Sequence, residues 1–182
     1  MGRRIVTNIH PSAVVGKDAK ISDNVTIGPF CVIEDDVIID EGCEILSHAV
    51  LKNGTRLGKN VKVFNGAILA SVPQDLKFND EKTFLEIGDN TTIREFATLN
   101  RGTEATWKTV IGQNCLLMSY VHVAHDCIIG NNVVVANSTN MAGHVEVGDY
   151  VGIGGGGLIH QFCRIGQHSF LQGGAKVNKD IP

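Results

Sequence analysis

The run L-M-S-Y-V-H-V-A-H-D-C, from Leu117 to Cys127, sets His122, His125 and Asp126 within five residues. Imidazole changes charge near neutral pH, and a carboxylate beside it can fix its tautomer and stabilise the protonated ring, which is the usual design of a general base. No serine or outward-facing cysteine partners His125. Direct attack by an acceptor that the ring deprotonates therefore fits better than a covalent intermediate. Gly143 lies eighteen residues further on. Its N–H could meet the oxyanion of an attacked carbonyl, since glycine permits close approach. The same residues have a plainer reading, in which outward histidines pack at an oligomer interface, and the residues alone leave both open.

Whatever these groups do, a six-residue rhythm positions them. Stepping by six from Ile9 gives an aliphatic residue each time as far as Leu69. The phase returns at Ile87, Ile93 and Leu99, and then runs unbroken from Ile111 to Val177. All 26 positions are Ile, Leu, Val or Met, where composition would give roughly a quarter to a third. Four residues after most anchors stands a second small residue, such as Val25, Cys31, Ala49, Cys115 or Cys127, and glycine directly follows nine anchors. Large aliphatic, turn, small, turn is a corner code. It predicts an all-β fold, a parallel β-helix of hexapeptide repeats in which three hexads make one triangular coil. Residues eighteen apart then stack at about 4.8 Å, so His125, Gly143 and Gln161 fall in line, with His144 and His160 beside them. His122, His125 and Asp126 fall on positions that point outward. The spacing does not fix the hand of the coil.

Composition agrees. Twenty-one glycines and only 5% aromatic residues favour short strands and tight turns, and an apolar fraction of 43% suffices for one core. The domain expected is a single repeat unit over 1–182, with two projecting loops, 70–86 and 100–110, where the rhythm lapses; loops on a rigid scaffold are where function concentrates. All five cysteines take the small interior slot, so buried thiols rather than disulfides or a zinc site are expected, and Cys127 is not read as a nucleophile. A net charge of −3 gives no reason to expect nucleic acid as a partner. The start, Met1-Gly2-Arg3-Arg4, lacks an apolar signal region, Val6 stands where a myristoylation signal needs Ser or Thr, and no window is long enough to cross a membrane. A cytoplasmic chain without membrane insertion is expected.

The hexads together with Q-D-L-K at Gln74 to Lys77, R-G-T at Arg101 to Thr103, H-V-A-H-D-C at His122 to Cys127, A-G-H at Ala142 to His144 and H-Q-F-C at His160 to Cys163 carry a closer likeness. In that order they resemble the hexapeptide-repeat acyltransferases that use acyl carrier protein to acylate UDP-N-acetylglucosamine at the first step of lipid A synthesis. The resemblance spans nearly the whole chain. It implies a left-handed coil, a homotrimer with active sites between neighbouring prisms, and a 3-hydroxyacyl donor on acyl carrier protein. No cofactor is implied beyond the 4'-phosphopantetheine that the carrier brings. By likeness His125 is the base on the sugar 3-hydroxyl, supported by Asp126, with the Gly143 amide on the thioester oxyanion. Gln74, Asp75 and Lys77 match substrate-binding positions, Asp75 and Lys77 reaching the nucleotide sugar from the adjoining subunit. His122, His144, His160 and Gln161 match further contacts, Gly155 and Gly173 fall where acyl length is gauged, and no metal site is implied.

Members of that family continue past A-K-V-N-K-D-I-P into further coil and a helical C-terminal domain with nucleotide contacts, so a chain ending at Pro182 is expected to lack that domain, either as a truncated version or as a short relative whose acceptor is held differently. Two other functions use the same scaffold: a zinc-dependent hydratase of the γ-carbonic-anhydrase type, with histidine ligands such as His122 or His144, and a non-catalytic trimer that binds a nucleotide sugar or acyl carrier protein.

Overall fold

The structure, a computed structural model, describes residues 7–182; the N-terminal positions Met1 to Arg4 and Val6 lie outside them. Short strands, most of two residues, form three parallel sheets of nine, nine and eight strands. Ile9 pairs with Ile27, Val15 with Ile33 and Ile21 with Ile39, each eighteen residues on. The three sheets are therefore the faces of one prism. Each anchor from Ile27 to Val177 is buried and contributes roughly 1.5–3 kcal/mol. Ile9, at the first coil, is 41% exposed because no coil lies beneath it among the described residues. No described residue is helical, and no helix is long and apolar enough to cross a membrane.

The corner code divides its labour differently from the sequence reading. The residue in left-handed conformation stands three after the anchor, as at Asn60, Asn90, Asn114 and Asn132, with φ between 55° and 58°. Asparagine tolerates that region better than most residues. Glycine directly after the anchor answers closeness instead of turning: a Cβ on Gly88 would lie 2.7 Å from the Gln113 nitrogen of the next coil. Asp126 (φ 59°), His144 (φ 62°) and Phe162 (φ 66°) occupy the left-handed position on three successive coils of one corner.

Both lapses in the rhythm bulge from the prism. Lys62 pairs with Thr92, thirty residues on, and Thr98 with His122, twenty-four on, instead of eighteen. The excursions are shorter than the rhythm suggests, 72–83 and 101–107, because strands Ile68–Ser71, Phe84–Ile87, Thr98–Asn100 and Lys108–Ile111 run further than the hexads do. Ala70, Leu85, Asn100 and Thr109 still point into the prism or its base and are buried.

Candidate active site

His125 and Asp126 follow Val123, an anchor of the second face, the nine-stranded sheet that runs from Val14–Val15 to Lys176–Val177, so the corner itself aims them. His125 Nδ1 lies 2.8 Å from Asp126 Oδ2. With Nδ1 as the donor, Nε2 is the basic nitrogen, and among the described residues it has no hydrogen-bond partner. The His125 side chain is 12% exposed and that of Asp126 is 0% exposed. Here the sequence expectation needs correction. Asp126 does point out of the prism, but the 101–107 loop folds over it, so it is buried and not solvent-facing. The Thr103 amide donates to Oδ1 at 2.9 Å, the Thr103 hydroxyl to Oδ2 at 2.7 Å, and the Thr106 hydroxyl to Oδ1. Burial alone would raise the Asp126 carboxyl, but hydrogen bonds from His125, Thr106 and Thr103 outweigh it and hold the group well below the usual carboxylate range. Asp126 is thus an anion at any working pH, able to orient and stabilise an imidazolium.

The next coils complete the cluster. Gly143 stacks on His125 so closely that a Cβ there would lie 2.7 Å from Cε1 and 2.9 Å from Nε2. Among the described residues the Gly143 N–H has no partner. His144 meets the His125 ring edge to face at 5.2 Å, approaches Asp126 Oδ2 at 3.8 Å through Nε2, and is stacked at 4.6 Å by Phe162 from the coil beyond. His122 is half-buried; loss of water lowers its pKa, against the opposing pull of the Thr98 backbone, and the Thr98 hydroxyl sits 2.8 Å from Nδ1. It is therefore neutral at pH 7. Burial pushes the Cys127 thiol up to about 12, which removes it as a nucleophile as the spacing implied.

Two concavities flank the cluster. A groove of about 630 Å³ runs along the second face, lined by His122, His125, Gly143, His160, Gln161 and Gln74, with Leu158 and Lys176 along its wall. A smaller pocket of about 390 Å³ is lined by Asp75, Lys77, Phe78, Thr103, Glu104 and His144. Asp75 and Lys77 thus line one pocket with His144 of their own chain. The Asp75 carboxylate accepts the Lys77 N–H at 2.9 Å, which holds the loop tip in a turn. Gly155 and Gly173 do not line the groove. They sit at the opposite edge of the second face, Gly173 three residues before Lys176 and so about 10 Å along the strand direction, and a Cβ on Gly173 would come no nearer than 3.4 Å to anything.

The sequence reading missed Thr103, Thr106, Thr109 and Thr98. The first three recur every third residue within R-G-T-E-A-T-W-K-T, a regularity of hydroxyls in a lapse of the hexads that could have flagged them.

The bacterial transferase hexapeptide pattern (six repeats) matches residues 18–53 and 108–143. The acyl-[acyl-carrier-protein]–UDP-N-acetylglucosamine O-acyltransferase of Aliarcobacter butzleri is 56% identical over 97% of this chain and 68% of its own length. That of Stenotrophomonas maltophilia is 53% identical over 96% and 66%. The chain belongs to this acyltransferase family. Among solved structures, the UDP-N-acetylglucosamine acyltransferase of Bacteroides fragilis superposes with a TM-score of 0.95 at 46% identity, covering 96% of this chain and 68% of that one. The chain spans about two thirds of the length of the curated relatives it matches. With the family the hand follows: the fold is a left-handed parallel β-helix, and the protein is an acyltransferase.

Proposed function

We propose that this chain moves a 3-hydroxyacyl group from acyl carrier protein to the 3-hydroxyl of UDP-N-acetylglucosamine, a form of the acyl transfer its relatives are named for, with His125 as general base. The observation that carries the reading is the His125–Asp126 pair, with its carboxylate buried, its ring lining the groove and Gly143 against that ring. His125 Nε2 takes the hydroxyl proton as the sugar oxygen attacks the thioester carbonyl carbon. The tetrahedral oxyanion is met by the Gly143 N–H. Collapse breaks the carbon–sulfur bond, and the imidazolium returns its proton to the departing thiolate, so no group on the protein is left modified.

The pocket holding Asp75, Lys77 and His144 suits the sugar and its diphosphate, with Lys77 as the cation. The groove past His122, His160 and Gln161 suits the thioester, and the open edge at Gly155 and Gly173 suits the acyl tail. No cofactor is needed, because the carrier delivers its own phosphopantetheine. Exposed Phe162, Leu158 and Phe170 support assembly as a homotrimer, and the acyl-carrier and nucleotide-sugar substrates support a cytoplasmic site of action.

A zinc hydratase draws on the donor atoms of His125, Asp126 and His144, all within 4.8 Å of one another. Both oxygens of Asp126, however, already receive four donors, one of them His125 Nδ1. That fills the lone-pair sites of a carboxylate, so a cation would have to displace the bonds that build the site. The test is acyl transfer by the purified chain with 3-hydroxyacyl carrier protein and UDP-N-acetylglucosamine. His125→Ala is expected to abolish turnover while the circular dichroism and oligomeric state stay unchanged. Binding of either substrate by the parent without turnover would instead make it a non-catalytic binder.

A further inference from the structure

The 101–107 loop is an addition to the prism, and the coil closes without it, yet it supplies most of what surrounds Asp126. The loop is tightly folded. The Trp107 amide donates to the Thr103 carbonyl at 2.7 Å, and a Cβ on Gly102 would lie 2.4 Å from the Lys108 nitrogen, so the chain doubles back with no room to spare. From this turn the Thr103 hydroxyl accepts a hydrogen bond from the Ala105 N–H at 3.2 Å and donates one to Asp126 Oδ2. The Thr106 hydroxyl lies within reach of both the Lys108 carbonyl and Asp126 Oδ1. It has one proton, and the charged acceptor makes the stronger bond. Below, the Asp126 amide donates to the Thr109 hydroxyl at 2.8 Å. The carboxylate is therefore fixed on both oxygens as well as at its backbone.

We propose that Thr103 and Thr106 are positioning residues for the transfer reaction: their hydroxyls clamp the Asp126 carboxylate so that Oδ2 holds the His125 ring with Nε2 turned toward Gly143 and the groove. The proposal rests on the acyl-transfer reading. Neither threonine abstracts a proton from a substrate. The outer edge of the same loop, Thr103 to Ala105, lines the pocket shared with Asp75, Lys77 and His144.

The experiment compares the parent with Thr106→Val, the double variant Thr103→Val/Thr106→Val, and Thr103→Ser/Thr106→Ser. Steady-state kinetics are paired with proton NMR of the His125 Nδ1–H, a downfield signal assigned by its loss in His125→Ala. The double valine variant is expected to lose kcat by on the order of tenfold to a hundredfold, with KM for the acyl donor unchanged and the downfield signal gone. The serine variant is expected to keep both. Thr106 is exposed, so Thr106→Val leaves the prism intact and shows a partial form of the same split even if the double variant does not fold. Parental kcat and an intact signal in Thr106→Val and the double variant would overturn the clamp, as would serine failing in the same way as valine. A parent that transfers no acyl group would refute the functional reading, and the NMR signal would still decide the clamp.

Discussion

Gly143→Ala separates the place of the His125 ring from every other property of the site. The added methyl would sit 2.7 Å from Cε1 and 2.9 Å from Nε2, while relaxed carbon contacts lie at ~3.5–4.0 Å. The ring must therefore retreat by about 1 Å. It cannot do so freely, because Nδ1 is held 2.8 Å from an Asp126 that is itself fixed. Either the bond stretches out of range or the ring turns away from the acceptor. A misplacement of this size costs on the order of a hundredfold in rate, or about 2.7 kcal/mol in the barrier. Gly143 is not in left-handed conformation, so alanine fits its backbone. The lower unfolded-state entropy, worth about 0.4–1 kcal/mol, partly offsets the strained hydrogen bond. The amide that meets the oxyanion is retained. The expected result is a large fall in kcat for acyl transfer, with KM and thermal midpoint nearly unchanged. Turnover within about threefold of the parent, less than about 0.7 kcal/mol, would show that the ring has room and that its stacking on Gly143 does not set its geometry.

Two further predictions follow from named contacts. Asp126→Asn turns an acceptor-only group partly into a donor facing other donors and should cost on the order of 3 kcal/mol of stability at pH 7. Because the folded carboxyl titrates below its unfolded value, its contribution is complete above about pH 4 and fades as pH falls below that. Denaturant unfolding should therefore show the gap between parent and variant narrowing at pH 3, and a gap that stayed constant would deny the carboxylate its role. Gly173→Met puts a long side chain on the open edge of the second face. At about 0.8 kcal/mol per buried methylene, kcat/KM should shift toward shorter donors by about fourfold per carbon lost, whereas an unchanged chain-length profile would place the tail elsewhere.

The prism was legible in the sequence because its code is local. An anchor such as Leu117 or Val123 needs only the pitch of six to find the interior, and the buried cysteines follow from the same arithmetic. The stacking of His125, Gly143 and Gln161 was equally readable, since parallel strands keep residues eighteen apart in register. What phase could not show was the path of the two excursions, because extra lengths of twelve and six residues leave the rhythm unshifted. Only the tertiary structure decided that Thr103 and Thr106 fold back over Asp126 and turn an outward carboxylate into a buried, clamped anion. It alone brought Asp75 and Lys77 to the His144 of their own chain and set Gly173 across the face from the groove. The physical reason is that a repeat fixes which side of the chain each residue faces, while the course of a loop depends on hydrogen bonds between residues that no period relates.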